Sequence, residues 1–254
     1  MTLVLAEWAK LLTTKVGYWL VLVAALMAGG FTALFTAFAG EQGGPGGPGI
    51  PAVGSGGFAV LVASIPSQVV VIAVVLGVIG TTQEYRHRTA TPTFLVTPRR
   101  GRVVVAKLVA YAVAGLALAV AAVAATVLVA TVYGGARGGA PDWSGDALGV
   151  LLRSGLALVV YTVIGVGVGA LVRNQVGAVV GSLVYLFVVE PIIRSVPAIS
   201  DAYQYLPGGA LEAMTATLQG PDLLTAWQGG LLLLGYGLVA AVLGTVLAVR
   251  RDVV

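Results

Sequence analysis

The stretch TTQEYRHRTATPTFLVTPRRGRVVVAK, running from Thr81 to Lys107, is the one long polar island in a chain that is otherwise oily or glycine-rich. It carries Arg86, Arg88, Arg99, Arg100, Arg102 and Lys107 against a single acid, Glu84. Apolar runs long enough to cross a bilayer lie on both sides of it. A basic hairpin between two such runs is expected in the cytoplasm, where short loops rich in Lys and Arg are retained.

The rest of the composition agrees. The chain has 254 residues, 58% of them hydrophobic and 9% charged, with a mean hydropathy of +1.00. A soluble domain carries about 25% charged residues, so this chain has little polar surface to offer water. Spans of about 20 apolar residues read as helices, whereas barrel strands are shorter and alternate. The expected fold is an all-α integral membrane protein with six transmembrane helices in a single domain, residues 1–254. The pI near 9.5 invites a nucleic-acid partner, but the basic residues fall where the positive-inside rule wants them, and that reading is rejected. Cysteine is absent, which removes disulfide and thiolate chemistry.

Taken in order, residues 2–14 are amphipathic. Val4, Trp8, Leu11 and Leu12 share one helical face and Glu7, Lys10 and Thr14 another, the pattern of a helix lying in the membrane interface. Span 1 is expected at about 16–38, followed by a Gly- and Pro-rich outer loop from Gly40 to Gly57. Span 2 covers about 58–80. Pro66, Ser67 and Gln68 interrupt it, which predicts a kink whose polar step faces a neighbour or a pathway instead of lipid. After the basic hairpin, 81–102, span 3 covers about 103–132, span 4 about 147–172 and span 5 about 176–189, stopping at Glu190-Pro191. Residues 192–227 are too polar and proline-broken to span, yet too apolar for a plain loop. They predict two short helices, near 198–205 and 209–218, dipping into the outer leaflet. Span 6 covers about 228–249.

Six spans place both ends inside, and the charges test this. Eleven Lys and Arg fall on the inner side, and only Arg137, Arg153 and Arg194 fall outside. That bias sets the orientation.

The motifs exclude more than they assign. None of the three lysines, Lys10, Lys15 and Lys107, closes a phosphate-binding G-x-x-x-x-G-K-[ST] loop, so the chain is not expected to hydrolyse ATP itself. Gly165 to Ala170 matches G-x-G-x-x-A but lies inside an apolar run without a βαβ context. Gly165 with Gly169, and Gly177 with Gly181, instead form G-x-x-x-G steps that allow close helix packing. A single histidine, His87, rules out H-E-x-x-H, and no G-x-S-x-G occurs. No catalytic set and no metal site is expected. Glu190 reads as an i,i+4 ion pair with Arg194, or as a polar mark at the outer end of a pathway. Glu84 and Arg88 form a second i,i+4 pair. The apolar patch Phe94-Leu95-Val96 inside the basic hairpin suggests a short helix that buries one side against a partner.

The run Gln83-Glu84-Tyr85-Arg86-His87-Arg88-Thr89, then Thr97-Pro98-Arg99-Arg100, then Lys107 opening the next span, resembles the permeases of ABC-2 type transporters. The resemblance extends to the layout: an interfacial N-terminal helix, six spans, and broken helices before the last. It implies a stand-alone bacterial membrane subunit in the cytoplasmic membrane, paired with a second copy or a paralogous permease. Each copy would meet an ATP-binding subunit, which holds ATP and magnesium, so that no cofactor resides on this chain. It further implies that the segment after span 2 is the coupling helix, carried here by Glu84, Tyr85, Arg86, Arg88, Thr89, Pro98, Arg99 and Arg100. A pathway between two permeases, lined by spans 2 and 5, would then draw on Pro66, Ser67, Gln68 and Glu190. The implied activity is export of a hydrophobic or amphipathic drug, lipid, glycan or peptide. The alternative from another class is a six-span channel or scramblase that works without ATP.

Overall fold

The computed structural model describes residues 2–41, 49–86, 100–215 and 223–250, all helix or connecting loop, with no strand among them. Six stretches are long and apolar enough to cross a membrane: Lys15–Ala37, Gly56–Glu84, Gly101–Ala136, Gly145–Val172, Gln175–Ser195 and Ala226–Val246. A short helix, α1 (Thr2–Thr13), precedes the first of these, α2 (Lys15–Ala37).

The second span is built from three pieces. Helix α3 (Gly56–Ser64) starts at Ser55, whose side chain accepts the Phe58 N–H. It tightens into a 3-10 turn (Ile65–Val69) at Pro66 and resumes as α4 (Val70–Arg86). Proline lacks the N–H of the helical ladder and its ring crowds the preceding turn, which accounts for the change of pitch here. Ser67 adds a local bond to the Ser64 carbonyl, 2.7 Å.

Helix α5 (Arg100–Ala136) is the longest, and α6 (Gly145–Val172) is the central one. More than half of the apolar core of α6 is buried, because it packs against α3, α4, α5 and the last helix, α10 (Ala226–Arg250). The approach of α4 to α6 is set by glycine. A Cβ at Gly165 would overlap the Val74 carbonyl, and one at Gly77 the Thr162 carbonyl. At Gly169 it would come within 3.0 Å of the Val78 carbonyl. Small residues of this kind let backbones meet where lipid offers no hydrophobic drive. Hydroxyls add bonds between helices: Thr81 to the Val166 carbonyl at 3.3 Å and Ser154 to the Ala63 carbonyl at 3.2 Å. Gly177 and Gly181 differ. Both are exposed, and a Cβ at Gly181 would meet nothing within 4 Å; no described helix of this chain fills that groove.

The fifth span runs past the expected stop. Helix α7 (Gln175–Val184) opens into a π-helical turn (Tyr185–Val189) and continues as α8 (Glu190–Ser195). The Glu190 N–H reaches the Tyr185 carbonyl five residues back. This wider turn eases the clash of the Pro191 ring with the turn before it, so the proline does not end the helix as expected. After α8 come a 3-10 turn (Ser200–Tyr205) and helix α9 (Pro207–Thr215), which packs on α10.

Candidate functional site

Two polar junctions lie at opposite ends of this bundle. The first sits at the end that carries α1 and the two flanks of the basic hairpin. Lys107 lies four residues into the apolar run that opens the third span, and a cation at that depth needs a partner. It has two: its Nζ is 2.6 Å from Glu7 Oε2 and 3.2 Å from Glu84 Oε1. Lys10 Nζ closes the ring, 2.6 Å from Glu7 Oε1 and 2.7 Å from Glu84 Oε1. Lys107 also donates to the Gly80 carbonyl at 3.2 Å and lies 5.8 Å from the centre of the Tyr111 ring.

Two carboxylates and two ammoniums therefore alternate with no net charge. The Glu7, Glu84 and Lys107 side chains are less than a tenth exposed, and Lys10 is 39% exposed. Removing such charges from water costs several kcal/mol each, and only their mutual arrangement offsets it. Burial pushes the Glu7 carboxyl up, but Lys107 and Lys10 outweigh it and hold it below its ordinary range. Burial likewise lowers Lys10, and its bonds to Glu7 and Glu84 raise it above the usual lysine value.

This geometry corrects one expectation. The polar face of α1, Glu7 and Lys10, is turned inward onto α4 and α5, with Leu11 buried beside it and Leu5 and Leu12 exposed. Glu84 reaches Lys10 and Lys107 with its carboxylate inside the bundle. Arg88, its expected i+4 partner, lies outside the described residues, as do Thr89, Pro98 and Arg99. The side chains of Tyr85 and Arg100 are likewise not described. Arg86 is exposed at the end of α4 and its Nη1 lies 3.4 Å from Gln175 Oε1, at the start of the fifth span.

The second junction is a cavity of about 200 Å³ at the opposite end, between the kink of the second span and the end of the fifth. It brings together Ser67, Gln68 and Glu190, which the sequence singled out, with Tyr161, Arg194, Tyr203 and Glu212. Pro66 is buried in the kink behind Ser67. Arg194 does not pair with Glu190: its Nη2 is 3.0 Å from Glu212 Oε1, and its guanidinium lies over the Tyr203 ring at 5.4 Å. The turn at 200–205 folds α9 back, so a carboxylate eighteen residues away displaces the one four residues away. Tyr203 completes this pair by donating its hydroxyl to Glu212 Oε2 at 3.0 Å. Burial and the adjacent Glu212 keep that phenol protonated well above its ordinary value.

Glu190, 5% exposed, instead accepts the Gly208 N–H at 2.9 Å and the Tyr185 hydroxyl. It thereby caps the first turn of α9, where backbone donors have no partner within the helix. The Tyr161 hydroxyl is buried and has no hydrogen-bond partner among the described residues.

Sequence reasoning missed Glu7, Lys10 and Lys107 as one group. The usable signal was Lys107 itself, a charge inside an apolar span. Nothing local pointed to Tyr161, which reads as one more apolar position of α6.

Six membrane-length helices thus enclose a buried charge ring at one end and a polar cavity at the other. The model of the family described as ABC-2 family transporter protein matches residues 3–189, nearly three quarters of the chain, and the chain belongs to that family. It is a permease subunit of an ABC transporter, a system that includes an ATP-binding partner. No curated protein matches the chain.

Proposed function

We propose that the chain is the membrane subunit of a bacterial ABC-2 exporter, seated in the plasma membrane with its basic end in the cytoplasm. A separate subunit binds ATP and magnesium and drives it. The observation that carries this reading is the ring of Glu7, Lys10, Glu84 and Lys107. The basic hairpin leaves from the end of α4 and returns at the start of α5, and the ring ties both of those ends to each other and to α1.

A partner that grips Arg86, Arg88, Arg99 and Arg100, together with Tyr85, Thr89 and Pro98, moves two spans and α1 as one unit. In this scheme Glu84 transmits the movement and does not touch the partner. Two permeases, copies of this chain or this chain with a paralogue, pair through helices such as the fifth span, which is mostly exposed. ATP-driven rocking opens a path between them. That path passes the cavity of Ser67, Gln68 and Glu190, and its apolar walls suit a hydrophobic or amphipathic cargo.

Reversing Arg86, Arg88 and Arg99 to Glu is expected to leave membrane insertion intact and to abolish both co-purification with the ATP-binding subunit and ATP-dependent flux. Coupled transport by the triple variant would sink this assignment. Flux by the isolated chain in ATP-free vesicles would favour a channel or scramblase.

A further inference from the structure

We propose that the far-end cavity binds a protonated amine carried on an apolar body, the ammonium donating to the Glu190 carboxylate and to the phenol oxygen of Tyr161. This rests on the permease reading for its place in transport, but not for the binding itself.

Three observations lead there. The first is charge. The cavity holds two carboxylates and one guanidinium, and Arg194 is committed to Glu212 at 3.0 Å. Glu190 has hydrogen bonds but no ion pair among the described residues. With Glu190 ionised, the cavity is one negative charge out of balance, in surroundings that screen it far less than water does. The second is an open valence. Tyr161 lines the same cavity, is 2% exposed, and its hydroxyl has no partner among the described residues. A buried polar group without a partner calls for an explanation, and a ligand that donates to it would supply one. The third is shape. Val70, Val71, Leu186 and Leu211 wall the cavity and Phe187 lies exposed at its edge. About 200 Å³ falls short of the roughly 300–1,000 Å³ of drug-sized sites, so the cavity takes a head group while the body of the ligand lies over Phe187.

Other chemistries fit less well. An alcohol or sugar hydroxyl satisfies Tyr161 and leaves Glu190 unmatched. A phosphate or carboxylate meets the like charge of Glu190. A quaternary ammonium supplies charge but no N–H for either oxygen.

The test uses the full chain in lipid nanodiscs without ATP or any partner, with phenethylamine at pH 7 as probe and saturation-transfer NMR as readout. Phenethylammonium is expected to bind, and 2-phenylethanol and 3-phenylpropanoate to fail as competitors. Glu190→Gln, whose amide oxygen still accepts the Gly208 N–H, is expected to weaken binding about tenfold or more. Tyr161→Phe, which removes only a hydroxyl without a partner, is expected to weaken it about threefold or more while the unfolding temperature stays level or rises. Equal binding by the wild type and both folded variants, or equal competition by 2-phenylethanol, overturns the proposal. Because no ATP enters this experiment, its failure is separate from a failure of the coupling test above. Binding lost with coupled transport retained removes only the amine site.

Discussion

The two polar junctions both set carboxylates against cations and differ in closure. At the basic end, two carboxylates meet two ammoniums in a ring, and three of the four side chains are sealed from solvent. At the far end, two carboxylates line an open cavity, one guanidinium pairs with only one of them, and a phenol is left over. A balanced ring commits its charges to one another. It fixes the relative position of α1, α4 and α5, which is what a transmission element needs. An open, unbalanced set cannot hold its helices as firmly, and keeps polar atoms available for something else. The same buried charge therefore reads as structure at one end and as a binding site at the other, and the deciding quantity is whether each group already has its partner.

The largest expected effect tests the closed end. Lys107→Ala removes the buried cation that Glu7 and Glu84 share, and breaking a buried pair in this way costs about 3–5 kcal/mol. Thermal unfolding in nanodiscs should show it, together with lost hydrogen-exchange protection over residues 2–13. A loss below about 1 kcal/mol, the scale of a solvated surface pair, would mean that the ring is not sealed.

Arg194→Ala should cost less. Its side chain is 29% exposed and borders the cavity, so water can replace it at Glu212, and Tyr203 still donates there. The expected loss is about 1–2 kcal/mol, read by the same unfolding measurement. A loss as large as that of Lys107→Ala would erase the contrast between the two ends.

The smallest effect is the pH response of α1. Glu7 sits below its ordinary value of 4.5 in the folded chain, so its contribution is fully present above 4.5 and is lost as pH falls through the lowered folded value. Lys10 sits above 10.5, so its contribution is present below 10.5 and is lost as pH rises through the raised folded value. Helix α1 should therefore stay docked across the neutral range and loosen only in acid below 4.5 or in strong alkali. Hydrogen exchange over residues 2–13, corrected for its intrinsic pH dependence, measures this. Loosening between pH 6 and 8 would point to a different titrating group.

Much of the architecture was legible in the chain. Hydropathy is a property of each residue that adds along a segment, and lipid imposes it on every span independently. The spans therefore follow from composition and length, the kink of the second span from Pro66, and the family from the run beginning at Gln83. Pro191 shows where local rules fall short: it reads as a helix end, yet a π turn absorbs it and the fifth span runs on to Ser195.

The partners of the charges were not legible. By spacing, Glu190 should meet Arg194. In the fold Glu84 meets Lys10 and Lys107, and Arg194 meets Glu212. An i,i+4 pair on a solvated helix gains only a few tenths of a kcal/mol, whereas a carboxylate buried without a counter-charge loses far more. For Arg194, the carboxylate that tertiary packing brings within reach wins over the neighbour in sequence. Which charges come within reach depends on how glycines such as Gly165 let α4 and α6 close together, and on how a turn returns α9 to α8. The chain alone determined which segments leave water; helix packing decided which charges leave it together.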